Sequence, residues 1–222
     1  NFAAVPAQNV YPKPVHLSFA QAASFPLTYL TAWRMVVTKG NLKPGQTVLI
    51  HGIGGGVAQA AMKIAQIIGA KIIVTSSSEK KLESAINNGA HHGILYSKEN
   101  LPAKIKEITA GRGTDLIIDS AGAKTMQINT ELAKKGGTIV LCGVTTGAKT
   151  EINLQAVYWN QLKIFGSTMG SNHEFKMMVD AINVNKIEPV IDSVFPLSEA
   201  KKATQLMENG GQTGKIVLDT TA

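Results

Sequence analysis

Four glycines in five residues mark the stretch of this sequence best suited to chemistry, within His51-Gly52-Ile53-Gly54-Gly55-Gly56-Val57-Ala58. It follows a buried-strand run, Thr47-Val48-Leu49-Ile50, and precedes a helical stripe of Val57, Ala61, Ile64, Ala65 and Ile68. A loop in that position needs bare backbone when a pyrophosphate must lie against it, because a Cβ would hold the phosphates away. The helix behind it offers unpaired N–H groups and a partial positive charge. A purely structural turn needs one or two glycines, so the run points to dinucleotide binding. The spacing departs from G-x-G-x-x-G. With Gly55 and Ala58 at its second and third glycines, Ile53 stands at the first. Ala58 suits a position that needs only close helix–strand packing, and Ile53 predicts a first turn without positive φ. No Gly-Lys-Ser/Thr follows, which excludes a Walker phosphate loop.

Cofactor preference is read about 20 residues further on, where an Asp or Glu would bind the ribose hydroxyls of NAD. This sequence has Thr75-Ser76-Ser77-Ser78 there, with Lys80 and Lys81 close behind. Hydroxyl and ammonium groups can hold a 2′-phosphate through charge-assisted hydrogen bonds. The pattern therefore predicts NADP(H) in preference to NAD(H). The competing reading is that the serines only cap the next helix.

These residues need a scaffold, and the surrounding pattern supplies one. Strand-like runs at Lys71–Thr75, Ile94–Tyr96, Leu116–Asp119 and Thr138–Leu141 alternate with helical segments at 57–68, 79–87, 103–110 and 123–134. Gly69 is placed to end the first helix and Ser78 to start the second. Such alternation predicts right-handed βαβ units: an α/β fold with a doubly wound parallel sheet covered on both faces. Residues 1–17 are irregular, broken by Pro6, Pro12 and Pro14, before Ser18 caps a helical stretch. After a helix at 174–184, strand-like pieces at 190–195 and 215–218 flank a helix at 199–207. Pro189 and Pro196 bracket the first piece, which keeps it out of the middle of the sheet. The expected organisation is a dinucleotide-binding unit at 18–186, with 1–17 and 187–222 belonging to a second unit.

Composition limits the other classes. The 222 residues are 44% hydrophobic and 17% charged, enough for a packed core and unlike a disordered chain. No run approaches the ~18 apolar residues of a spanning helix. Cys142 is the lone cysteine, which leaves no internal disulfide and suggests a reducing, cytoplasmic setting. The start Asn1-Phe2-Ala3-Ala4-Val5-Pro6 has neither the basic start nor the apolar core of a secretory signal, and without an initiator Met the sequence reads as part of a longer protein. Net charge is +7, but the basic residues are scattered as pairs such as Lys134-Lys135, and only Arg34 and Arg112 are arginines. That argues against a nucleic-acid interface while favouring an anionic ligand. The five histidines show no metal-ligand spacing with Cys or Glu and read as surface or loop residues.

Leu42–Gly52, Gly55-Gly56-Val57, Gly89-Ala90, Leu30-Thr31-Ala32-Trp33, Asp119-Ser120-Ala121-Gly122, Gly136-Gly137-Thr138, Gly166–Gly170 and Gly214-Lys215-Ile216-Val217 appear in the order of a known family. In these motifs the chain resembles the medium-chain dehydrogenase/reductase superfamily, in its zinc-type alcohol dehydrogenase-like and quinone oxidoreductase-like branches. The resemblance implies a Rossmann domain joined to a chaperonin-10-like catalytic domain, remnants of which would form both ends of this chain. The zinc-ligating motifs would fall in the part outside it, so no metal ligand is assigned. It also implies that Gly55, Gly56 and Val57 cradle a pyrophosphate, and that Ser76, Ser77 and Lys81 face the adenosine ribose and its phosphate. Tyr96 would sit at the adenine end. Ser120, Cys142, Gly143, Val144, Ser167, Thr168 and Met169, with Thr31, would line the nicotinamide half.

The implied activity is hydride transfer between a nicotinamide and an alcohol, carbonyl, quinone or enone, with this chain alone turning over little substrate. A non-catalytic NADPH sensor, nucleic-acid binding through the basic cleft and an enoyl-reductase role remain as other readings. A small-molecule substrate is the expected partner, with no membrane. Pairing of Lys163-Ile164-Phe165-Gly166 across a two-fold axis would give a homodimer, and a monomer with a charged edge is the alternative.

Overall fold

The computed structural model describes residues 4–221. The expected end segments 1–17 and 187–222 thus reach, at 1–3 and 222, outside the described residues. Two short helices, α1 (Phe19–Ser24) and α2 (Pro26–Trp33), lead into the alternating core. The core comprises β1 (Thr47–Ile50), α3 (Gly56–Ile68), β2 (Lys71–Ser76), α4 (Glu79–Asn87), β3 (His92–Leu95), α5 (Leu101–Ile108), β4 (Thr114–Asp119), α6 (Ala123–Leu132), β5 (Ala133–Leu141), α7 (Leu154–Trp159), β6 (Lys163–Gly166) and α8 (Asn172–Asn185). The six strands form one sheet in the order β3-β2-β1-β4-β5-β6, each pair parallel. This is the doubly wound Rossmann order, with its topological switch between β1 and β4. Strand alternation divides the core in two. Val48, Ile50, Ile72, Val74, Leu116 and Ile118 pack under α2, α3 and α8, while Leu49, Ile73, Ile117 and Ile139 pack under α5 and α6.

The local signals act as their chemistry requires. Ser18 and Ser78 accept from the backbone N–H three residues on, and Gly69 ends α3 at φ 81°. Several boundaries differ from the sequence reading. α5 begins at Leu101, because Asn100 caps it and Pro102 sits where a helix lacks an N–H acceptor anyway. α6 stops at Leu132, and the residues from Ala133 pair with β4 through a register shift. The residues after α2, Arg34–Lys39, form a π-helical turn. β7 (Ile191–Pro196) and β8 (Lys215–Asp219), flanking α9 (Ala200–Glu208), form a separate two-stranded parallel sheet. Among the described residues no helix is long and apolar enough to cross a membrane.

Candidate functional site

The glycine loop lies at the carboxyl end of β1, beside the switch point, where ligands of such sheets gather. Gly52 makes the tight turn at φ 66°, and Ile53 is fully buried with its carbonyl held by the Gln59 amide at 2.7 Å. Ile53 thus serves as a core anchor, and the expectation of a first turn without positive φ is corrected: the turn does take positive φ, one residue earlier at Gly52. Gly54 and Gly56 are glycines for a reason the sequence did not reveal. A Cβ on Gly54 would lie 2.8 Å from Lys81 Cδ and 2.9 Å from its Nζ, and one on Gly56 would lie 2.8 Å from Lys215 Cδ. Two lysine side chains therefore occupy the space that these glycines leave.

Gly55 is different. Its backbone, φ −80° and ψ 150°, suits any residue, and an added Cβ would meet only the Gly52 carbonyl oxygen at 3.5 Å. The folded chain itself does not demand glycine here. Gly55 is also the N-cap of α3, with no side-chain cap and no acidic residue in the first turn. The Val57 and Ala58 amides find no acceptor among the described residues. This is the electropositive, uncovered helix end that a phosphate would complete. The Val57 side chain packs against the core, so only its backbone is offered to the loop.

A chain of directed hydrogen bonds underlies the loop. The Gly52 N–H lies 3.3 Å from Thr75 Oγ1, which in turn lies 3.3 Å from His51 Nδ1. His51 Nε2 is 2.8 Å from Asn129 Oδ1, and Asn129 Nδ2 donates to Asp119 Oδ2 at 2.6 Å. Asp119 also accepts from Thr125 and from the Ala121 and Gly122 amides, all within 3.0 Å. With Nδ1 accepting from the Thr75 hydroxyl and Nε2 donating to Asn129, whose amide donates to Asp119, a neutral His51 satisfies the whole chain in one direction. Burial holds the His51 pKa below the usual imidazole value, against the raising effects of the Asp119 charge and the Asn129 bond. His51 is 3% exposed, so of its reading as a surface or loop histidine the loop placement holds and the surface one is corrected.

A cavity of about 450 Å³ opens above this network, lined by His51, Gly52, Thr75, Tyr96, Leu101 and Thr125 among others. Its size suits a nucleobase and ribose. Tyr96, half exposed, stands at its wall. At the end of β2, Ser76 is buried and its Oγ accepts from the Ser78 N–H, while Ser77 is exposed. Lys81 reaches from α4 to donate to the Gly210 carbonyl at 2.7 Å.

The remaining expected residues gather at the ends of β4, β5 and β6. Gly143 approaches Ser120 so closely that a Cβ would lie 2.6 Å from its carbonyl oxygen. The Cys142 N–H donates to Asp119 O, and the Ser167 N–H donates to Leu141 O. α6 has Gly122 at its N-cap without a side-chain bond, so Ser120 does not cap it. Ser167 Oγ is buried without a partner among the described residues, and Met169, exposed beside Thr168, holds φ 45°. Val144 is half exposed. Thr31 is 8% exposed, and its hydroxyl donates to Leu27 O within its own helix. The Cys142 thiol is pushed up to about 11, by burial first and then by the Asp119 charge, so it stays protonated near neutrality.

Among the described residues no three His, Cys, Asp or Glu side chains come together as a metal-binding group. Beyond His51, His16 Nε2 meets the Ile187 carbonyl and His91 Nδ1 accepts the Ile72 N–H. These described residues do not fit a zinc site.

Known proteins share this arrangement. Residues 56–183 match the family model described as zinc-binding dehydrogenase. The human (Homo sapiens) quinone oxidoreductase is 31% identical over 216 residues, which are 94% of this chain and 65% of the relative. A zinc-type alcohol dehydrogenase-like protein of Leptosphaeria maculans is 34% identical over 234 residues, covering 99% of this chain and 63% of its own length. The chain thus spans just under two thirds of these relatives. Among solved structures, an NAD-dependent alcohol dehydrogenase superposes with a TM-score of 0.92 at 36% identity, over 97% of this chain and 63% of that one. A 2-octenoyl-CoA carboxylase reductase in complex with NADP and 2-octenoyl-CoA gives 0.88 at 27%, over 96% of this chain and 52% of that one. The loop, the switch point and the strand order therefore stand in a chain that belongs to the zinc-binding dehydrogenase family, within the medium-chain dehydrogenase/reductase superfamily.

Proposed function

We propose that this chain is the cofactor-binding part of an NADP(H)-dependent oxidoreductase acting between a nicotinamide and an alcohol, carbonyl, quinone or enone. The observation that carries the reading is Gly55: glycine where the fold needs none, at an uncapped helix end. Gly55 and Gly56 with the Val57 amide would hold the pyrophosphate, and the cavity beside Tyr96 would take the adenosine. Ser120, Cys142, Gly143, Val144, Ser167, Thr168 and Met169, with Thr31, would border the nicotinamide half. When bound, the cofactor supplies hydride chemistry at the nicotinamide; the residues here orient it and exclude water from one side.

Preference for the 2′-phosphate is supported by exposed Ser77 and the lysines at 80 and 81, with no carboxylate among residues 75–78. Titration with NADPH and NADH tests it: tighter NADPH binding is expected, and equal or tighter NADH binding overturns it. Residues 1–17 and 187–222 would belong to a second unit, in keeping with the separate β7–β8 sheet. A cytoplasmic setting belongs to the same proposal and rests on the lone protonated thiol. So does a homodimer formed by antiparallel pairing of β6 edges. It is supported by exposed Phe165 on β6 and by Leu154, Tyr158 and Trp159 on α7, each left at least 37% exposed by the single chain.

A further inference from the structure

His51 is buried at the candidate site and has no part in the proposed grip on the cofactor. An imidazole that only filled space could be an apolar side chain. This one has each ring nitrogen within hydrogen-bond distance of a partner on another element, Thr75 of β2 and Asn129 of α6.

What those partners hold decides its role. Thr75 is fully buried and grips the start of the glycine loop twice. Its hydroxyl accepts from the Gly52 N–H at 3.3 Å and its carbonyl from the Ile53 N–H at 2.9 Å. The Gly55 N–H donates in turn to Gly52 O at 3.0 Å, so the N-cap of α3 hangs from the same turn. On the other side, Asn129 donates to Asp119, whose carboxylate takes the Ala121 and Gly122 amides and shapes the turn between β4 and α6. Gly52, Thr75, Ala121 and Thr125 all line the cavity of about 450 Å³, and so does the ring that joins them.

The direction of these bonds matters. The Thr75 hydroxyl accepts from Gly52, and its own proton has no acceptor other than His51 Nδ1 among the described residues. A protonated ring would turn Nδ1 into a donor aimed at that hydroxyl and strand the hydroxyl proton. The titratable groups around the ring are Asp119 on β4, Tyr96 and Glu99 after β3, and Lys124 on α6. Of these, Asp119 reaches the ring through Asn129, and none bonds it directly.

We infer that His51 is a positioning residue that locks the glycine-loop turn to the β4–α6 turn and so fixes two walls of the adenosine cavity. This rests on the dinucleotide reading of the loop. Cofactor then binds the form with a neutral ring, and ring protonation and binding oppose each other. Burial holds the free ring below the usual imidazole value, so affinity is level near neutral pH and falls on the acid side, by up to about ten-fold per pH unit.

Calorimetric titration with NAD+ tests this, because that ligand carries no 2′-phosphate to titrate in the same range. The proteins are the 222-residue chain and its His51→Gln, Thr75→Val and Thr75→Ser variants, with the His51→Gln/Thr75→Val pair. Glutamine keeps a donor for Asn129 and cannot titrate; valine keeps the shape of threonine without its hydroxyl. At neutral pH, His51→Gln and Thr75→Val should each weaken NAD+ roughly 3- to 10-fold, and Thr75→Ser should bind as the parent does. The double variant should be no weaker than the weaker single one, since the same bond is lost once. Below about pH 6 the parent should lose affinity and His51→Gln should not. Parent-like affinity in either weakened variant, additive losses in the pair, or one pH curve shared by parent and His51→Gln would each overturn the inference. Urea unfolding shows that each variant is folded when titrated, and the two Thr75 variants decide if His51→Gln does not fold. Failure of the unsubstituted chain to bind NAD+ or NADP+ at any pH would overturn the cofactor reading itself.

Discussion

Lys81 now bonds a carbonyl of the C-terminal segment, and that bond must be exchanged when a 2′-phosphate arrives. Substituting Lys81→Met is expected to weaken NADPH roughly 10- to 100-fold while leaving NADH within a few-fold, the size of one charge-assisted contact. Paired titrations check it, and equal loss for both would move Lys81 away from the 2′-phosphate. His51 gives a pH prediction. Its folded pKa lies below the unfolded value of about 6.5 because burial disfavours the charged ring. The unfolded chain therefore takes up a proton first, and stability falls as pH drops below about 6.5, until the folded ring titrates as well. Urea midpoints measured from pH 7.5 downward should show this decline, and a His51→Gln variant should flatten it. The role of His51 was illegible because a buried histidine in a loop has no periodic signature. Its partners Thr75, Asn129 and Asp119 come from three other elements.

At the scale of elements, signals that act within a few residues were readable and those that need tertiary neighbours were not. Gly69, Ser18 and Ser78 function as punctuation because a cap bonds its own helix. The proposed phosphate cradle at Gly55 was already suggested by the run of glycines between a strand and a helix. At Gly54 and Gly56 the deciding neighbours, Lys81 and Lys215, come from distant segments. The π-helical turn at 34–39 ends against Glu174 of α8, whose carboxylate accepts from Thr38 Oγ1 at 2.7 Å, again a long-range contact. Burial pushes the Glu174 pKa up, but bonds from Ser171 and Thr38 and the Arg34 charge outweigh it and leave it below the usual carboxylate value. Its stabilising contribution is present above the unfolded glutamate pKa and is lost as pH falls through the folded one. Removing the Ser171 hydroxyl takes away the α8 capping box. Ser171→Ala should cost about 1 kcal/mol at neutral pH and make the loss of stability on the acid side shallower. Urea unfolding at pH 7 and below pH 4 would show both effects, and an unchanged midpoint would contradict the assignment.

For the whole molecule, the doubly wound parallel sheet and its two covered faces followed from alternation alone, because parallel strands buried on both sides are continuous apolar runs, whereas the strand order is seen only in the folded chain. The β7–β8 pair was recognisable as separate from its flanking prolines. A two-stranded sheet is marginal by itself and depends here on its bonds to the glycine loop. The other edge, at β6, predicts self-association. Sedimentation velocity should show a coefficient that rises with concentration, and Phe165→Lys with Trp159→Asp should abolish the rise. A concentration-independent monomer would contradict the pairing. The central claim is that a pyrophosphate lies against Gly55, and calorimetric titration of NADPH into the chain and into its Gly55→Leu variant tests it most directly. The conformation of Gly55 suits any residue and the fold leaves room for a Cβ there. NADPH binding should be abolished in the variant while its cooperative urea transition is kept, and equal affinity in the two folded proteins would contradict the claim.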